Sequence, residues 1–214
     1  MKLADYQIHG GVDVQKSVES YYPSLYEVAA ALNSARASEV VLQSVVERTA
    51  KALDARGCSL MLLTPDKEVL LHTAFYGLSE WYVRKGPVSA DKSISEALGG
   101  KALAILDATE DDRVQYREQA KKEGIASILS VPMMLREEVI GVVRVYTAEQ
   151  CHFTMEDMYF VGAVANLGAI ALENTRLYEA VQKDYDEFRR DMLEWRAALG
   201  YEWIAQETVI PPKE

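Results

Sequence analysis

The sequence has few cysteines, no secretion signal and no long apolar run, and each absence narrows the class of protein. Its two cysteines, Cys58 and Cys151, lie far apart in the chain. Isolated thiols in a chain without an export signal are typical of a reduced, cytoplasmic protein. The first residues, from Met1 to Gly11, contain no apolar stretch of the signal-peptide kind. No apolar run approaches the roughly 18 residues of a membrane span, so we expect no membrane association.

The sequence also lacks the charge pattern of a nucleic-acid-binding protein. Lys and Arg total 23 against 33 Asp and Glu, which gives a net charge of −10. No cluster of basic residues follows one face of a predicted element, so the electrostatic footprint for phosphate backbones is missing. We therefore expect no nucleic-acid partner.

Motifs that carry enzymatic or metal chemistry are absent as well. There is no glycine-rich phosphate loop, no Gly-x-Ser-x-Gly elbow and no His-Glu-x-x-His sequence. One loop contains four carboxylates that could hold a metal ion: Asp107, Glu110, Asp111 and Asp112. It lacks the spacing and the turn glycine of a calcium loop, so a solvated loop with helix capping is favoured. The sequence predicts a protein that is not an enzyme and has no metal site, and it names no cofactor.

Hydrophobic periodicity predicts an α+β fold with helices at both ends and strands between them. Helical patterns occupy 25–32 and 38–53, as two helices or one broken helix, and a short helix over 14–22 should stop before Pro23. A helix over 112–123 should end at Gly124, and a long helix should begin near Glu156. Strands are predicted at 58–63, 69–76, 102–106, 126–134 and 139–147. The resulting organisation is an N-terminal helical brace (1–22), a globular domain (23–173), a coiled-coil helix (174–200) and a tail (201–214).

The C-terminal helix carries an apolar stripe with a mean spacing of 3.5 residues, the period of a coiled coil. The stripe starts at Val164, and its part up to Ala171 should pack on the chain's own domain. Opposite charges at the flanking positions favour a parallel homodimer, with Asn174 setting the register. The residues expected to form the dimer are Asn174, Tyr178, Val181, Asp184, Tyr185, Phe188, Arg189, Asp191, Met192, Trp195, Arg196 and Leu199.

Strand alternation over 140–146 separates two faces. Ile140, Val142, Arg144 and Tyr146 fall on one face, and the small residues that suit close packing against helices fall on the other. A charged Arg144 among apolar residues needs an anionic partner or access to water. It would meet an anion of a ligand, pair internally with Asp107 or Glu96, or extend its charged end to solvent.

Several stretches resemble the GAF domains, small-molecule-binding regulatory modules of signalling proteins. They include residues 35–63, 74–78, 124–133, 139–146 and 169–178, in the family's order. The resemblance implies a central antiparallel sheet with the terminal helices on one face and a ligand pocket on the other. It also implies that the last helix continues as a signalling coiled coil.

The resemblance implies the ligand types that this family binds. For most of them, this sequence lacks the residues that binding requires. Bilin attachment and methionine sulfoxide reduction use cysteines in the region of residues 77–125, which contains none. Haem would need His72 or His152 as an axial ligand, and Asp107 alone is too little for a cyclic-nucleotide site. The residues expected to line a pocket for an unidentified ligand are Phe75, Trp81, Tyr82, Ile94, Asp107, Val114, Arg144 and Tyr146.

Two functions follow from these patterns. The first is a cytoplasmic sensor in which a small molecule biases a coiled-coil pair that signals to a partner protein. The second is a dimeric interaction protein whose pocket is closed and empty.

Overall fold

A computed structural model describes residues 21–34, 38–89, 97 and 99–198. The elements in chain order are α1 (Tyr21–Ser34), α2 (Ser38–Ala52), β1 (Gly57–Leu63), β2 (Val69–Tyr76), α3 (Glu80–Val83), β3 (Val88–Ser89), β4 (Leu103–Ile105), α4 (Arg117–Glu123), β5 (Ser127–Leu135), β6 (Glu138–Thr147) and α5 (Met155–Ala198). The expected tail at 201–214 lies outside the described residues, as does nearly all of the expected brace at 1–22.

The strands form one six-stranded antiparallel sheet in the order β3-β2-β1-β6-β5-β4. Helices α1, α2 and the first part of α5 cover one face of it. Their apolar side chains share a core with alternate strand residues such as Leu60, Leu129 and Val143. The α+β architecture expected from the sequence is confirmed.

The opposite face of the sheet carries two smaller clusters. One gathers Tyr82 of α3, Ala120 of α4 and strand residues that include Tyr146. The other gathers Met61, Leu70 and Val142 with Val88 and Ala97. Arg144, the buried charged side chain of the described strands, lies on this second face, which short helices and loops cover, and a site is therefore sought there.

Helix α1 begins at Tyr21 and contains Pro23 in its first turn, so the predicted stop before Pro23 is wrong. Proline fits a first turn because the missing N–H has no partner within the helix there. Tyr21 is buried, stacks on Phe160 of α5, and donates a hydrogen bond to the Asp157 carboxylate. The start of α1 is thus fixed to the start of α5.

Helix α4 is shorter than the predicted 112–123 and begins at Arg117. The preceding residues form turns instead, because Asp107 accepts hydrogen bonds from Thr109 and Asp111 accepts from the backbone N–H of Arg113. Its C-terminal end is as predicted, since Gly124 adopts the left-handed conformation with a φ of 73°.

Two bulges interrupt the alternation of the strands. In the pairing of β5 with β6, Met133 lies opposite Gly141 and Met134 lies opposite Val139, so Ile140 is an extra, unpaired residue. Ile140 packs with the helix-side core rather than on the face of Val142. The expectation for Ile140 is therefore wrong, because an extra residue reverses the alternation beyond it. Pro132 cannot donate a ladder hydrogen bond, and it has no partner in β4, whose pairing with β5 ends at Ser130.

The chain divides into two compact units, one ending at Glu173 and the other beginning at Asn174. Helix α5 belongs to both. In the first unit Val164 is fully buried, as expected, and Ala171 packs against the same core. By length and composition alone α5 could cross a membrane, but half of its most apolar window is buried in the protein, as in the core helices of many folds.

Candidate functional site

A row of side chains crosses the second face of the sheet at Arg144. Strand pairing places Ser59 of β1 and Ser130 of β5 directly beside it. Arg144 is only 7% exposed, and its Nε donates to Ser130 Oγ at 3.0 Å. A guanidinium with hydroxyl groups on both sides is thus held in a fixed place in a buried setting.

Two tyrosines enclose this row. The Tyr146 hydroxyl lies 2.9 Å from Ser59 Oγ, and the Tyr146 ring meets the Tyr82 ring edge to face with centroids 6.1 Å apart. Burial raises the pKa of the Tyr146 phenol, against the opposing effect of the Arg144 charge. Both phenols therefore stay neutral and can donate or accept hydrogen bonds.

Lys85 brings a second basic group to the same face. Its Nζ lies 3.7 Å from the centre of the Tyr82 ring and 5.6 Å from that of Tyr116, and it donates to the Tyr82 carbonyl at 3.0 Å. Burial, followed by the charge of Arg144, lowers the pKa of the Lys85 ammonium to about 7, although the Glu123 carboxylate acts in the opposite direction. No carboxylate of the described residues forms an ion pair with it.

His72 is the third basic group. Its Nε2 lies 3.4 Å from Lys85 Nζ, and its buried Nδ1 has no hydrogen-bond partner among the residues that the structure describes. Burial, followed by the charges of Lys85 and Arg144, lowers the pKa of the imidazole to about 3, so His72 is neutral. We call Arg144, Lys85 and His72 the basic cluster.

A bulge in β2 explains how His72 reaches the cluster. Leu60 pairs with Ala74 but Met61 pairs with His72, so Thr73 is the extra residue. Simple alternation would place His72 with Ala74 on the helix side. The bulge turns it to the face that also carries Phe75 and Arg144.

Glu123 fixes the short helices that cover this face. Its buried carboxylate accepts hydrogen bonds from the backbone N–H of Ser79 at 2.8 Å and from Ser79 Oγ at 2.6 Å. Arg56 Nη2 lies 3.8 Å from the same carboxylate. One side chain of α4 therefore holds the N-terminus of α3, which carries Tyr82 and leads to Lys85.

Five of the eight residues expected to line a pocket come together here. Tyr82 and Tyr146 are buried in one cluster, Phe75 and Val114 pack against it, and Arg144 adjoins it. Trp81 is 52% exposed and lies outside that cluster. Ile94 lies outside the described residues.

Asp107 takes part in a different set of contacts. Its carboxylate accepts hydrogen bonds from Thr109 and, at 2.7 Å, from Gln150. Its partners are thus Thr109 and Gln150, and no ion pair with Arg144 is present among the described residues. The neighbouring carboxylates Asp111 and Asp112 pair with Arg113 and Arg117.

Sequence reasoning missed Lys85, Ser59 and Ser130 as parts of this site. Lys85 follows α3 in a region without hydrophobic periodicity. The sequence there does not indicate on which face of the protein the Lys85 side chain lies. The two serines could have been found, because serines within otherwise apolar strands need a buried partner. His72 was considered only as a haem ligand.

A groove outside this face is less suited to binding a ligand. An open groove of about 540 Å³ lies between α1 and α2, with Tyr26, Val40 and Ser44 in its lining. Its charged lining residues, Glu27 and Arg48, pair with each other. Neither charge is therefore left for a ligand.

The residues expected to form a dimer lie on the helical second unit. From Asn174 to Arg196 they are all exposed in the single chain, including Phe188 at 63% and Trp195 at 61%. Leu199 lies outside the described residues. The predicted continuous helix is confirmed to Ala198.

Comparisons with known proteins identify the fold. A family model described as GAF domain matches residues 35–173. The GAF domain of a phosphoenolpyruvate-protein phosphotransferase from Coxiella burnetii is 22% identical, with a TM-score of 0.69 over 76% of this chain and 98% of that one. The free methionine-R-sulfoxide reductase of Neisseria meningitidis is 14% identical, with a TM-score of 0.64 over 80% of this chain and 98% of that one.

A GAF domain of A. aeolicus nlh2, solved in an inactive state, is 14% identical, with a TM-score of 0.59 over 74% of this chain and 99% of that one. A search of curated protein sequences gives no match. The structural likenesses establish the fold, and the family model covers well over half of the chain. The chain belongs to the GAF domain family of regulatory modules.

Proposed function

We propose that the protein is a cytoplasmic, non-catalytic sensor. It binds a small molecule at the basic cluster and transmits binding through a parallel dimeric coiled coil to a downstream signalling protein. The observation that carries this proposal is the convergence of Arg144, Lys85 and His72 on the buried face of the sheet. Burying several basic groups is costly without a compensating partner, and sites that accept this cost are commonly functional.

The arrangement suits binding better than catalysis. The hydroxyls of Ser59, Ser130 and Tyr146 offer hydrogen bonds, and the rings of Phe75 and Tyr82 offer apolar contact. A few polar groups among aromatic walls are typical of small-molecule sites. Neither cysteine forms a disulfide, and Cys58 is fully buried with a raised thiol pKa, so it is a poor nucleophile.

The relay rests on the exposed stripe of the second unit. Val181, Tyr185, Phe188 and Trp195 present large apolar surfaces to water in the single chain. Such a stripe at heptad spacing is buried when two helices pair. In a parallel pair, Asp184 would meet Arg189 of the second copy and Asp191 would meet Arg196. The free thiols agree with a reducing, cytoplasmic location.

A thermal-shift screen of a metabolite library tests ligand binding, with mass spectrometry of whatever co-purifies as a second route. A true ligand should raise the melting temperature of the wild type and have little effect on Lys85→Met. The exposed residue Lys101 supplies a matched control, because Lys101→Met should respond as the wild type does. Stabilisation that Lys85→Met retains in full would place the ligand elsewhere.

Light scattering tests the coiled coil. The full chain should be a dimer, and a chain that ends at Leu177 should be a monomer, because it lacks the exposed stripe. A dimer that survives this truncation would show that the interface lies outside the second unit.

The alternative is a dimeric interaction protein with a closed, empty pocket. The burial of Tyr146, 1% exposed, and Tyr82, 2% exposed, favours it, since a ligand would have to displace covering residues. A library that stabilises nothing, combined with a dimer in solution, would support this alternative. Haem or a cyclic nucleotide are lesser alternatives, and a visible absorbance spectrum of the purified protein tests the first of them.

A further inference from the structure

The exposed apolar residues of α5 repeat at a second spacing besides the heptad. Four large apolar side chains, each between 40% and 67% exposed in the single chain, follow one another at intervals of eleven residues: Tyr159, Ile170, Val181 and Met192. Leu177 and Phe188 are exposed and stand eleven residues apart as well. All of them belong to one helix. The repeat begins in the first unit, well before the second unit starts at Asn174.

The heptad stripe cannot extend into the first unit in the same way. Val164 is fully buried under the sheet and cannot contact a second molecule, and Ala171 packs against the same core. An eleven-residue repeat corresponds to about 3.67 residues per turn, close to the period of a straight helix, so its stripe stays on one side of α5. The exposed apolar stripe therefore runs from Tyr159 to Met192. We call it the eleven-residue stripe.

The charges beside this stripe match a second copy of the chain. Asp184 and Asp191 lie on one flank, and Arg189 and Arg196 lie on the other. None of the four forms an ion pair within the described part of the chain. In a parallel pair with twofold symmetry, the acidic flank of each helix faces the basic flank of the other, whereas an antiparallel pair would oppose like charges. A partner helix with charges of one sign would satisfy only one flank.

We propose that the whole eleven-residue stripe is the dimer interface, so that a second copy pairs with α5 from Tyr159 in the first unit to Met192 in the second. This inference rests on the proposed function, because it specifies where the two copies meet. An eleven-residue repeat predicts a straight or slightly right-handed pair of helices in place of a left-handed coiled coil. The pairing would begin two residues after Asp157, whose carboxylate joins the starts of α1 and α5.

The earlier truncation result is still expected. A chain that ends at Leu177 keeps Tyr159 and Ile170 but loses Val181, Met192 and most of the exposed apolar surface of α5. Two apolar layers are too few to hold the pair together, so this chain should be a monomer. A test of the first-unit part of the stripe must therefore use the full chain.

Disulfide cross-linking of the full chain provides that test. Cys151 is first replaced by Ser, and Cys58 is fully buried. Single cysteines are then introduced as Tyr159→Cys, Val181→Cys and Leu71→Cys, and each variant is oxidised with copper phenanthroline. Leu71 of β2 is the matched control, because it is 51% exposed, as Tyr159 is, but lies outside α5.

The thiols at both stripe positions should form cross-linked dimers about tenfold faster or more than Leu71→Cys, because each meets its own copy at a high effective concentration. Tyr159 lies about 22 Å along the helix before Asn174. An interface that begins only at Asn174 would therefore not bring the two Tyr159→Cys thiols together.

A charge substitution tests the interface without thiol chemistry. In the parallel pair Ile170 lies beside its own copy, so Ile170→Glu removes an apolar contact and places two carboxylates together. A light-scattering dilution series should show the dimer dissociation constant rising about tenfold or more. Leu71→Glu changes a side chain of nearly equal exposure and should leave the dissociation constant unchanged.

The inference is overturned if Tyr159→Cys cross-links no faster than Leu71→Cys, or if Ile170→Glu leaves the dissociation constant unchanged. If Val181→Cys still cross-links in that case, the dimeric coiled coil of the proposed function stands and only its extension into the first unit falls. If Tyr159→Cys cross-links and Val181→Cys does not, both the whole-stripe interface and the coiled-coil relay are refuted.

Discussion

The buried amine of Lys85 should make stability depend on pH in a narrow window. In the native chain its pKa is about 7, whereas the ordinary lysine value is 10.5. Between these values the unfolded chain binds more protons than the native chain, so the free energy of unfolding must rise with pH. From about pH 7 to about pH 8.5 this single group contributes a rise of about 1.5 kcal/mol.

Other titrating groups change the free energy of unfolding outside this pH range. Burial lowers the pKa of His72 to about 3, so its contribution is gained between about pH 3 and 6.5 and is nearly complete at pH 7. Burial raises the pKa of the Cys58 thiol from 9.0, so stability is lost as pH rises above about 9. The raised phenol pKa values of Tyr82 and Tyr146 act at still higher pH.

The assay is urea unfolding at several pH values of constant ionic strength, without added carboxylate. The wild type should gain stability across the window, and Lys85→Met should lose that gain because no titrating amine remains. Lys101→Met changes an exposed side chain and should keep the wild-type slope. A flat wild-type profile, or a slope that survives in Lys85→Met, would refute the assignment of a desolvated amine.

Three further predictions concern single contacts. Ser59→Ala should cost about 1 kcal/mol in urea unfolding by removing one hydrogen-bond partner of the buried Tyr146 hydroxyl, and Tyr146→Phe in that background should cost less than it does alone; additive effects would mean that the bond is not formed. Glu123→Gln should cost about 1–3 kcal/mol, because the charged acceptor of both Ser79 bonds is lost, and an unchanged urea midpoint would contradict this role. Asn174→Leu should raise the melting temperature while broadening the oligomeric state seen by light scattering; no change in either would place Asn174 outside the seam.

The elements of the fold were largely predictable from the sequence because their signals are local. Alternation places Arg144 and Tyr146 on one face, and Gly124 ends α4 where expected. Gly141 allows the close approach of a neighbouring strand, since an added Cβ would lie 2.3 Å from the Met61 carbonyl oxygen. These positions depend on one or two residues and their immediate neighbours.

The candidate site was only partly predictable, because the directions of its side chains depend on the register of strand pairing. The extra residue Thr73 turns His72 toward Lys85, and a bulge of this kind leaves no clear mark in the sequence. The position of Lys85 depends on Glu123 fixing Ser79 at the start of α3, a contact between residues distant in the chain. Asp107 makes local hydrogen bonds to Thr109, and the sequence alone does not show whether such bonds or a partner across the sheet will form.

The carboxylate of Asp157 is shared by the starts of two helices. One oxygen accepts a hydrogen bond from Tyr21 at the beginning of α1, and the other accepts from the Thr154 N–H just before α5. A displacement of α1 would therefore change the hydrogen bonds at the first turn of α5 without involving the basic cluster. In the proposed sensor, α5 would receive two inputs, a chemical one from the sheet and a mechanical one along α1. Tyr21→Phe should remove the second input and leave ligand binding intact, which hydrogen exchange at the start of α5 and the thermal-shift assay would measure separately.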